Sequence, residues 1–404
     1  MPAINLSGKQ VLVTGGTGFI GGSLVERLVL ECNAKVCVLV HNLTNASRIA
    51  RFPIEMIYGD ITSPEDVERA VSGCEIVFHC AYGNQGDKES QRSVTVGGTK
   101  NILEAARLAQ SQRVVHLSTV SVYGDLSGEV LEESAPRRYS NNVYSDSKLD
   151  AEILALEYAQ KHNLPVTVLQ PTVVYGPLAP AWTIRILDEL STGRIILVDG
   201  GEGFCNAVYI DDLIDAMLLA SVNENAVGQA FLISGENPAL WKEFYGFYEK
   251  MSGNYNTIDM SIAEADSLYQ SYFRRKPLVK EILNIIRRDT ELRWRIEGTR
   301  EINVIMQISR TILPKSFRNG LKKFLGLSET AMPMANGINA GGKAGGPNRR
   351  IHPLHPSASR FQAAKTRVSI DKAKKLLGYQ PKIGLEQGMK ATERWARWAN
   401  LIDS

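Results

Sequence analysis

The chain has 404 residues, of which 44% are apolar and 22% are charged, and its net charge at neutral pH is +3. These values are ordinary for a globular protein with two lobes, and no apolar run reaches the roughly 18 residues that span a bilayer, which excludes a transmembrane protein. The five cysteines form no CxxC pair, which favours reduced core thiols over a disulfide framework. We expect no signal peptide and a cytoplasmic location, since no basic segment followed by an apolar run opens the sequence.

The first predicted elements are a buried strand over residues 11–13, a glycine turn and a helix. This order is typical of a dinucleotide-binding crossover. Gly15 would allow the tight turn, Gly18 the approach of a pyrophosphate, and Gly21 close packing of the helix on the strand. The free N–H groups at the helix start would hold the pyrophosphate, and the alternative is a purely structural turn. The predicted cofactor contacts here are Gly15, Thr17, Gly18, Phe19, Ile20 and Gly21.

A second buried strand, residues 35–40, ends at His41 with no acidic residue nearby. In dinucleotide sites an acid at this place binds the ribose 2′-OH of NAD, whereas a basic residue suits the 2′-phosphate of NADP. His41 and Arg48, with Arg51 close behind, therefore tilt the prediction toward NADP over NAD. The alternative is that both arginines lie on a solvated helix face.

The third and fourth predicted strands cover residues 55–60 and 75–82. Asp60 is expected to accept a hydrogen bond from the adenine amino group or to cap a helix beginning near Pro64, and both can hold. The small residues that end the fourth strand would let the cofactor ribose lie flat against the backbone. A helix over residues 99–109 follows. The predicted cofactor contacts in this part are Asp60, Ile61, Cys80, Ala81, Tyr82 and Thr99.

A fifth strand is predicted over residues 113–119. Strands that alternate with helices of roughly 10 to 15 residues predict an α/β fold with a doubly wound parallel sheet. We place a dinucleotide-binding domain at residues 1–176, with strand and helix returns from 206–235, and a smaller C-terminal substrate lobe at 177–404.

Four polar residues predict a catalytic site. Ser118 and Thr119 end the fifth strand, and ligands of such sheets bind beyond the carboxyl ends of the strands. Tyr144 and Lys148 follow on a predicted helix and, being four residues apart, share one face. A lysine ammonium stabilises the phenolate and lowers the tyrosine pKa from its usual value near 10, and it can also bond the nicotinamide ribose. The tyrosine then exchanges a proton with a substrate hydroxyl or carbonyl as hydride moves to or from the cofactor.

Seven motifs occur in a fixed order: TGGTGFIGG at 14–22, GD at 59–60, STVSVYG at 118–124, YSDSK at 144–148, PTVVYGP at 171–177, NAVYIDDLIDA at 206–216 and KAKKLLGYQPKIGLEQGM at 372–389. Together they resemble the extended short-chain dehydrogenase/reductase family, of the NAD(P)-dependent sugar-nucleotide epimerase/dehydratase type, over residues 8–260 and 366–400. The resemblance implies a Rossmann-type sheet and a nicotinamide cofactor. It also implies that Thr119, rather than Ser118, is catalytic with Tyr144 and Lys148. The residues that it implies beside the nicotinamide are Pro171, Thr172 and Val173.

Several positions depart from the family pattern. Gln170 stands where the family usually has Arg, Tyr209 where it has His, and Thr95 where it has Asn. The 4,6-dehydratases of the family carry Asp-Glu after the catalytic threonine, and these places hold Val120 and Ser121 here. This difference argues against 4,6-dehydration and leaves epimerisation, ketone reduction and alcohol oxidation open.

The substrate lobe contains two features with more than one interpretation. Asp211 and Asp212 are expected to begin a helix, where they suit its dipole, and the alternative is a paired-carboxylate site. Residues 273–367 carry 20 basic and 6 acidic residues, and we predict a basic helical insertion with a flexible Gly-rich linker at 336–347. This insertion may be interpreted as a site for a diphosphate or another anionic substrate, as a peripheral membrane contact through 273–325, or as a solvated helical cap or dimer surface.

We therefore expect an enzyme that acts on a hydroxyl or keto carbon of a nucleotide-activated sugar. The alternatives are an NADPH-dependent ketone reductase or hydroxyl dehydrogenase with a hydrophobic or lipid-linked substrate, and a non-catalytic cofactor-binding scaffold. The expected partners are an anionic small-molecule substrate and a second copy of the chain in a homodimer. We predict no nucleic-acid partner and no metal site.

Overall fold

The structure of the chain is a computed structural model, which describes residues 4–274 and 350–403. The strands, in chain order, are β1 (Gln10–Thr14), β2 (Lys35–Val40), β3 (Glu55–Tyr58), β4 (Ile76–His79), β5 (Arg113–Leu117), β6 (Val130–Leu131), β7 (Val166–Pro171), β8 (Val173–Tyr175), β9 (Gly193–Val198), β10 (Phe204–Cys205), β11 (Ala207–Tyr209), β12 (Ala230–Ile233), β13 (Ala239–Leu240), β14 (Thr257–Met260), β15 (Arg350–Ile351) and β16 (Arg367–Val368).

Seven of these strands form the central sheet of the described chain, in the order β12-β7-β5-β4-β1-β2-β3. Every neighbouring pair in it is parallel, with Leu12 opposite Cys37 on one side and Val77 on the other. The strands inside the sheet are buried along almost their whole length, as expected for a parallel sheet with helices on both faces. The predicted α/β fold with a doubly wound parallel sheet is therefore confirmed.

Three helices begin within one residue of the starts that the sequence predicts near Pro64, at residue 99 and at Asp211. The helices, in chain order, are α1 (Phe19–Leu30), α2 (Pro64–Val71), α3 (Lys88–Arg92), α4 (Gly98–Leu108), α5 (Val143–His162), α6 (Arg185–Thr192), α7 (Ile210–Val222), α8 (Trp241–Ser252), α9 (Ile262–Arg274), α10 (Pro356–Ala363), α11 (Asp371–Leu377) and α12 (Leu385–Trp398). Short 3₁₀ or π segments connect them at Leu43–Ala46, Ser93–Gly97, Val120–Tyr123, Pro180–Ile184, Asp199–Gly201 and Glu224–Ala226.

The central sheet fixes where the site lies. β1, β4, β5 and β7 are adjacent, so their carboxyl ends meet at one edge of the sheet. α5 follows β5 in the chain and packs against α4 and β7. The first turn of α5 begins at Asn142, whose side chain accepts hydrogen bonds from the first backbone N–H groups of the helix. This cap fixes the start of the helix that carries Tyr144 and Lys148.

The chain divides into two units, residues 1–265 with 350–404, and residues 266–349. The first holds the central sheet and the C-terminal segment, which joins it through β15 beside β9 and β16 beside β6. Of the second, the structure describes only the last part of α9. The predicted basic insertion at 273–367 and its Gly-rich stretch at 336–347 therefore lie mostly or wholly outside the described residues. The division at residue 176 into a cofactor domain and a substrate lobe stays a prediction.

All five cysteines are buried and unpaired, as expected for core thiols. Within residues 4–274 and 350–403, none of the helices combines the length and the apolar character needed to cross a membrane.

Candidate active site

The turn after β1 has the close backbone contacts that the glycine spacing predicts. Gly15 has a φ of +69°, and a Cβ there would lie 2.8 Å from the backbone nitrogen of Ala81. A Cβ on Gly21 would overlap the carbonyl oxygen of Gly15, so α1 packs directly on the turn. No side chain caps α1 at Gly18, and its first turn contains no acidic residue. The uncapped amides and the helix dipole together suit a phosphate group.

Of the other predicted contacts in this turn, Thr17, Phe19 and Ile20 are half-buried, and Gly18 is exposed. Their partial exposure leaves the start of α1 open to a ligand. The residues of the turn therefore fit a dinucleotide pyrophosphate.

The end of β2 carries His41, whose side chain is 79% exposed and whose Nδ1 lies 3.8 Å from an Asp60 carboxylate oxygen. The other Asp60 oxygen accepts hydrogen bonds from the backbone N–H and the hydroxyl of Thr62, both at 2.8 Å. The cap of α2 is Ser63, which accepts from the backbone N–H of Asp66 at 3.2 Å. The expectation that Asp60 caps this helix is therefore wrong, because Ser63 lies directly before its first turn.

Arg48 and Arg51 both pair with Glu26 on α1, at 3.3 and 3.1 Å. Arg48 is half-buried and also donates to the carbonyl oxygen of Phe19 and to the hydroxyl of Ser23. Burial lowers the Arg48 pKa more than Glu26 raises it. The basic side chains that followed the second strand in the sequence are thus engaged by α1, and the exposed base at the strand end is His41.

β4 ends at His79, three residues earlier than predicted, so Cys80, Ala81 and Tyr82 follow the strand. Cys80 is buried, Ala81 is half-buried and Tyr82 is exposed. The Ala81 backbone N–H donates to the Thr14 hydroxyl at the end of β1. This segment therefore lies beside the glycine turn, where the sequence predicts a cofactor ribose.

Thr99 and Ile61 are buried rather than lining an open cleft. Thr99 has no exposed surface, and its hydroxyl donates to the Thr95 carbonyl oxygen at 2.5 Å and contacts the His79 imidazole at 2.9 Å. Ile61 is 8% exposed and packs against Gly98. Their burial does not favour the predicted direct contacts with a cofactor, which stay predictions.

The three predicted catalytic residues lie together beyond the end of β5. The Tyr144 hydroxyl lies near Thr119, which acts to lower the Tyr144 pKa, and the Thr119 hydroxyl accepts from the Ser121 backbone N–H at 3.2 Å. The Tyr144 ring meets the Tyr82 ring edge-on, with centroids 5.6 Å apart. The Tyr144 residue as a whole is 37% exposed, but burial is the largest influence on its hydroxyl and raises the Tyr144 pKa to about 12.

Lys148 lies one turn further along α5 and is 3% exposed. Its Nζ donates to the Leu117 carbonyl oxygen at 2.6 Å and lies 5.4 Å from the centre of the Tyr82 ring. Burial lowers the Lys148 pKa to about 8, and the nearby Cys80 and Glu152 act in the opposite direction.

One expectation about this pair is wrong. The sequence predicted that Lys148 lowers the pKa of Tyr144, yet burial raises that pKa and outweighs the opposite effect of Thr119. The Lys148 ammonium is held by a backbone carbonyl of β5. Tyr144 is accordingly a neutral phenol at neutral pH.

Pro171, Thr172 and Val173, predicted beside the nicotinamide, connect β7 to β8. Pro171 and Val173 are buried, whereas Thr172 is partly exposed and bonds the Ile233 carbonyl oxygen through its backbone N–H and its hydroxyl. This segment therefore lies at the same sheet edge as Thr119.

Asp211 and Asp212 occupy the first turn of α7, as the helix-start interpretation predicts. Asp212 is buried and accepts from the backbone N–H groups of Lys382 and Ile383, at 2.8 and 3.1 Å. Asp211 lies 3.5 Å from Arg27. The two carboxylates thus bind different structural partners, which does not favour a paired-carboxylate site.

The sequence reasoning missed the buried carboxylate of Glu152, on α5 four residues after Lys148. It accepts from Ser118 at 2.5 Å and from Gln170 at 2.8 Å, and it pairs with Arg137. The spacing Tyr144, Lys148, Glu152 was available in the sequence, because residues four apart share a helix face. Its partners come from other segments and had no local signal.

A parallel sheet with an uncapped glycine turn after β1, and a tyrosine and lysine beside a threonine after β5, define the site of an NAD(P)-dependent oxidoreductase or epimerase. The model of the NAD dependent epimerase/dehydratase family matches residues 11–234. The chain belongs to this family.

Characterised relatives of the chain differ in the substrates that their names give. The chain is 30% identical to a 2-alkyl-3-oxoalkanoate reductase of Shewanella oneidensis over 249 residues, which cover 57% of this chain and 62% of that protein. It is 29% identical to a UDP-glucose 4-epimerase of Vibrio cholerae over 56% of this chain and 70% of that protein. It is 24% identical to a decarboxylating sterol-4-alpha-carboxylate 3-dehydrogenase of Candida albicans, over 96% of this chain and 97% of that protein.

Among solved structures, a UDP-glucuronic acid 4-epimerase from Bacillus cereus, in complex with UDP-glucuronic acid and NAD, superposes with a TM-score of 0.64. It covers 96% of this chain and 99% of its own at 20% sequence identity. At this identity the similarity concerns the fold.

Proposed function

We propose that this chain catalyses NAD(P)-dependent oxidation or reduction at a carbon that carries a hydroxyl or keto group. The observation that supports the proposal is the cluster beyond β5, in which the Tyr144 hydroxyl lies near Thr119 and Lys148, one helical turn away, donates to the Leu117 carbonyl oxygen. In this proposal Tyr144 is the acid or base, Thr119 bonds the reacting oxygen, and Lys148 bonds the nicotinamide ribose.

The protonation state of Tyr144 fits the reductive direction directly. Since burial raises its pKa to about 12, the phenol keeps its proton at neutral pH and donates it to a carbonyl oxygen that Thr119 holds. In the oxidative direction Tyr144 must first lose its proton, and the phenolate then takes the proton of a substrate hydroxyl. When bound, the nicotinamide ring supplies or accepts the hydride.

The cofactor would lie along the sheet edge from the glycine turn to Thr172. The uncapped start of α1 would hold its pyrophosphate, and His41 and Asp60 would face the adenosine. We propose NADP as the preferred coenzyme, because β2 ends in the exposed His41 and not in an acid. Arg48 and Arg51 add little to this preference, since Glu26 engages both.

For the substrate, we propose first a nucleotide-activated sugar, and a reaction other than 4,6-dehydration. The similarity to the UDP-glucose 4-epimerase supports the sugar. Val120 and Ser121 follow Thr119 and supply no acidic side chain for dehydration.

The second candidate is net reduction of a hydrophobic or lipid-linked ketone. The similarities to the 3-oxoalkanoate reductase and, over nearly the whole chain, to the sterol 3-dehydrogenase support it. The predicted homodimer and cytoplasmic location stay predictions under either candidate.

Two measurements separate these candidates. Mass spectrometry of the molecules released on denaturation comes first: near-stoichiometric NAD(H) favours an epimerase that retains its cofactor, whereas an empty protein that prefers NADPH favours a net reductase. Turnover is then measured with UDP-glucose, UDP-glucuronic acid, a 2-alkyl-3-oxoalkanoate and a 3-oxo sterol.

Tyr144→Phe tests the catalytic assignment with whichever substrate reacts. We expect kcat/KM to fall by about 10²- to 10⁴-fold, because the proton donor is lost, while coenzyme affinity is kept. Tyr139→Phe is the matched control, since Tyr139 is exposed and its hydroxyl donates to Asp150. Full kcat/KM in the Tyr144 variant would exclude Tyr144 as the proton donor and with it the proposed mechanism, whereas absence of turnover in the wild-type protein would favour a non-catalytic scaffold.

A further inference from the structure

The Glu152 carboxylate is the most thoroughly enclosed charged group near the site, with no exposed side-chain surface. Three donors surround it: the Ser118 hydroxyl, the Gln170 amide and the Arg137 guanidinium. A buried carboxylate is stable only when it is paired and hydrogen-bonded, as this one is.

Each partner of Glu152 adjoins a residue that the proposed function uses. Ser118 directly precedes Thr119 after β5, and Gln170 directly precedes Pro171 at the end of β7. Lys148 lies one helical turn before Glu152 on α5. The Glu152 carboxylate thus connects α5 by hydrogen bonds to the ends of β5 and β7, which form the site.

The positive charge of this cluster comes from a residue that the family pattern does not indicate. The family pattern leads one to expect Arg at position 170, where Gln170 contributes an amide instead. Arg137, in the loop between β6 and α5, supplies the positive charge, and its guanidinium lies over the Tyr123 ring at 5.8 Å. The Tyr123 hydroxyl in turn donates to Gln170 at 2.9 Å, which closes the cluster.

Glu152 also contributes the negative charge that acts on Lys148. The other groups that face the ammonium are His79, His116, Cys80 and the Tyr82 ring. Burial lowers the pKa of His79 to about 3 and that of His116 well below its usual value, and it raises the pKa of Cys80 to about 12. These three are therefore neutral between pH 6 and 9, the range in which Lys148 changes its charge.

We propose that Glu152 is a positioning residue for the reaction: its carboxylate, bonded by Arg137, Ser118 and Gln170, fixes the strand ends that carry Thr119 and Pro171 and places a negative charge near Lys148. This inference rests on the proposed function, in which the Lys148 ammonium bonds the coenzyme.

The test compares full-length wild-type protein with Glu152→Gln, Arg137→Met and the double variant. NADPH and NADH are titrated between pH 6 and 9 by nicotinamide fluorescence. Wild-type affinity should fall as pH rises through about 8, where Lys148 loses its proton. In Glu152→Gln the fall should move to lower pH by roughly one unit, because the negative neighbour is gone, so that affinity at pH 8 is about fivefold weaker.

Arg137→Met should move the same fall to higher pH, because it leaves the Glu152 charge uncompensated beside Lys148. Both single variants should unfold at lower temperature than wild type, since each leaves one buried polar partner unsatisfied. The double variant should recover part of this stability, and its coenzyme affinity should fall at the same lowered pH as that of Glu152→Gln. It also keeps the test possible where a single variant fails to fold.

Opposite shifts in the two single variants are the decisive result, since a merely structural role would weaken binding in both without moving its pH dependence in opposite directions. The inference would be overturned if the pH dependence of coenzyme binding were unchanged in both single variants or moved in the same direction in both. Glu157→Gln is the control, because Glu157 lies on the same helix but pairs with Lys161 at the surface. Failure of wild-type protein to bind either coenzyme would instead refute the proposed function.

Discussion

At the residue scale, His41 is the side chain on which the coenzyme choice depends. It is exposed at the end of β2, whereas the neighbouring arginines are occupied by Glu26. His41→Asp should weaken NADPH binding by at least about tenfold and leave NADH binding equal or tighter, since a carboxylate repels a 2′-phosphate and accepts a hydrogen bond from a 2′-OH. Equilibrium titration with both coenzymes at pH 7 measures the change.

Arg51→Met is the control for this comparison. The Arg51 side chain is 60% exposed, but its guanidinium is paired with Glu26. The ratio of NADPH to NADH affinity should therefore remain at the wild-type value. A large loss of NADPH affinity in Arg51→Met, with none in His41→Asp, would mean that the arginines and not His41 determine the coenzyme preference.

The same residues show why side-chain roles are harder to predict than strands. His41 and Arg48 looked equivalent in the sequence, because both are basic and follow β2. Arg48 is instead held by Glu26, which lies 22 residues earlier on α1. Likewise, the direction in which the Tyr144 pKa shifts depends on burial, which the four-residue spacing to Lys148 does not reveal.

At the scale of elements, the contact between α1 and the glycine turn supports the site. Gly21→Ala places a methyl group against the Gly15 carbonyl oxygen, and the rigid backbone on both sides has no room to yield. We expect a loss of about 1–3 kcal/mol in the free energy of unfolding and weaker coenzyme binding, because the start of α1 must move away from the turn. Urea unfolding and coenzyme titration measure the two effects.

Gly22→Ala is the matched variant one residue further along α1. A Cβ there would lie 3.1 Å from an Arg48 guanidinium nitrogen and 3.2 Å from the Gly16 carbonyl oxygen, contacts that a shift of a few tenths of an ångström relieves. Alanine also favours the helix over glycine by up to about 1 kcal/mol, which offsets part of this cost. Gly22→Ala should therefore lose much less stability than Gly21→Ala, and equal losses in the two variants would contradict the proposed packing role of Gly21.

The elements of the sheet were largely predictable because each carries its own local signal. β2 covers the predicted residues, since a strand buried on both faces is a continuous apolar run bounded by polar residues. β4 ends earlier than predicted because His79 is its last residue paired with the neighbouring strands, although the apolar run of the sequence continues through Cys80 and Ala81. The π-helical turn Ser93–Gly97 before α4 had no distinct pattern, and neither did the pairing of β16 with β6, which joins residues far apart in the chain.

At the scale of the whole molecule, two buried histidines link the stability of the fold to pH. His79 and His116 are each 1% exposed, on adjacent central strands, with ring centroids 5.2 Å apart. His79 is bonded to the Thr14 and Thr99 hydroxyls. Neither ring nitrogen of His116 has a hydrogen-bond partner among the described residues. Burial lowers the pKa of both side chains, that of His79 to about 3.

The direction of the pH effect follows from which state binds more protons. In the unfolded chain both histidines take up protons below about pH 6.5, whereas the folded chain keeps them neutral. The contribution of the two histidines to the free energy of unfolding should therefore have its full value above pH 6.5 and should decrease as the pH falls toward about 3. Each histidine contributes a slope of up to about 1.4 kcal/mol per pH unit in this window.

His116→Leu should remove one of these two slopes. Its free energy of unfolding at pH 8 should equal or exceed that of wild type by about 1–3 kcal/mol, because the variant buries no unpartnered ring nitrogen. The gain should grow as the pH is lowered from 6 to 4. His79→Leu should reduce the slope equally but lose stability at pH 8, since Thr14 and Thr99 lose their partner. Urea unfolding at pH 8, 6, 5 and 4 distinguishes the two, and a wild-type slope in His116→Leu would mean that the native His116 is already protonated.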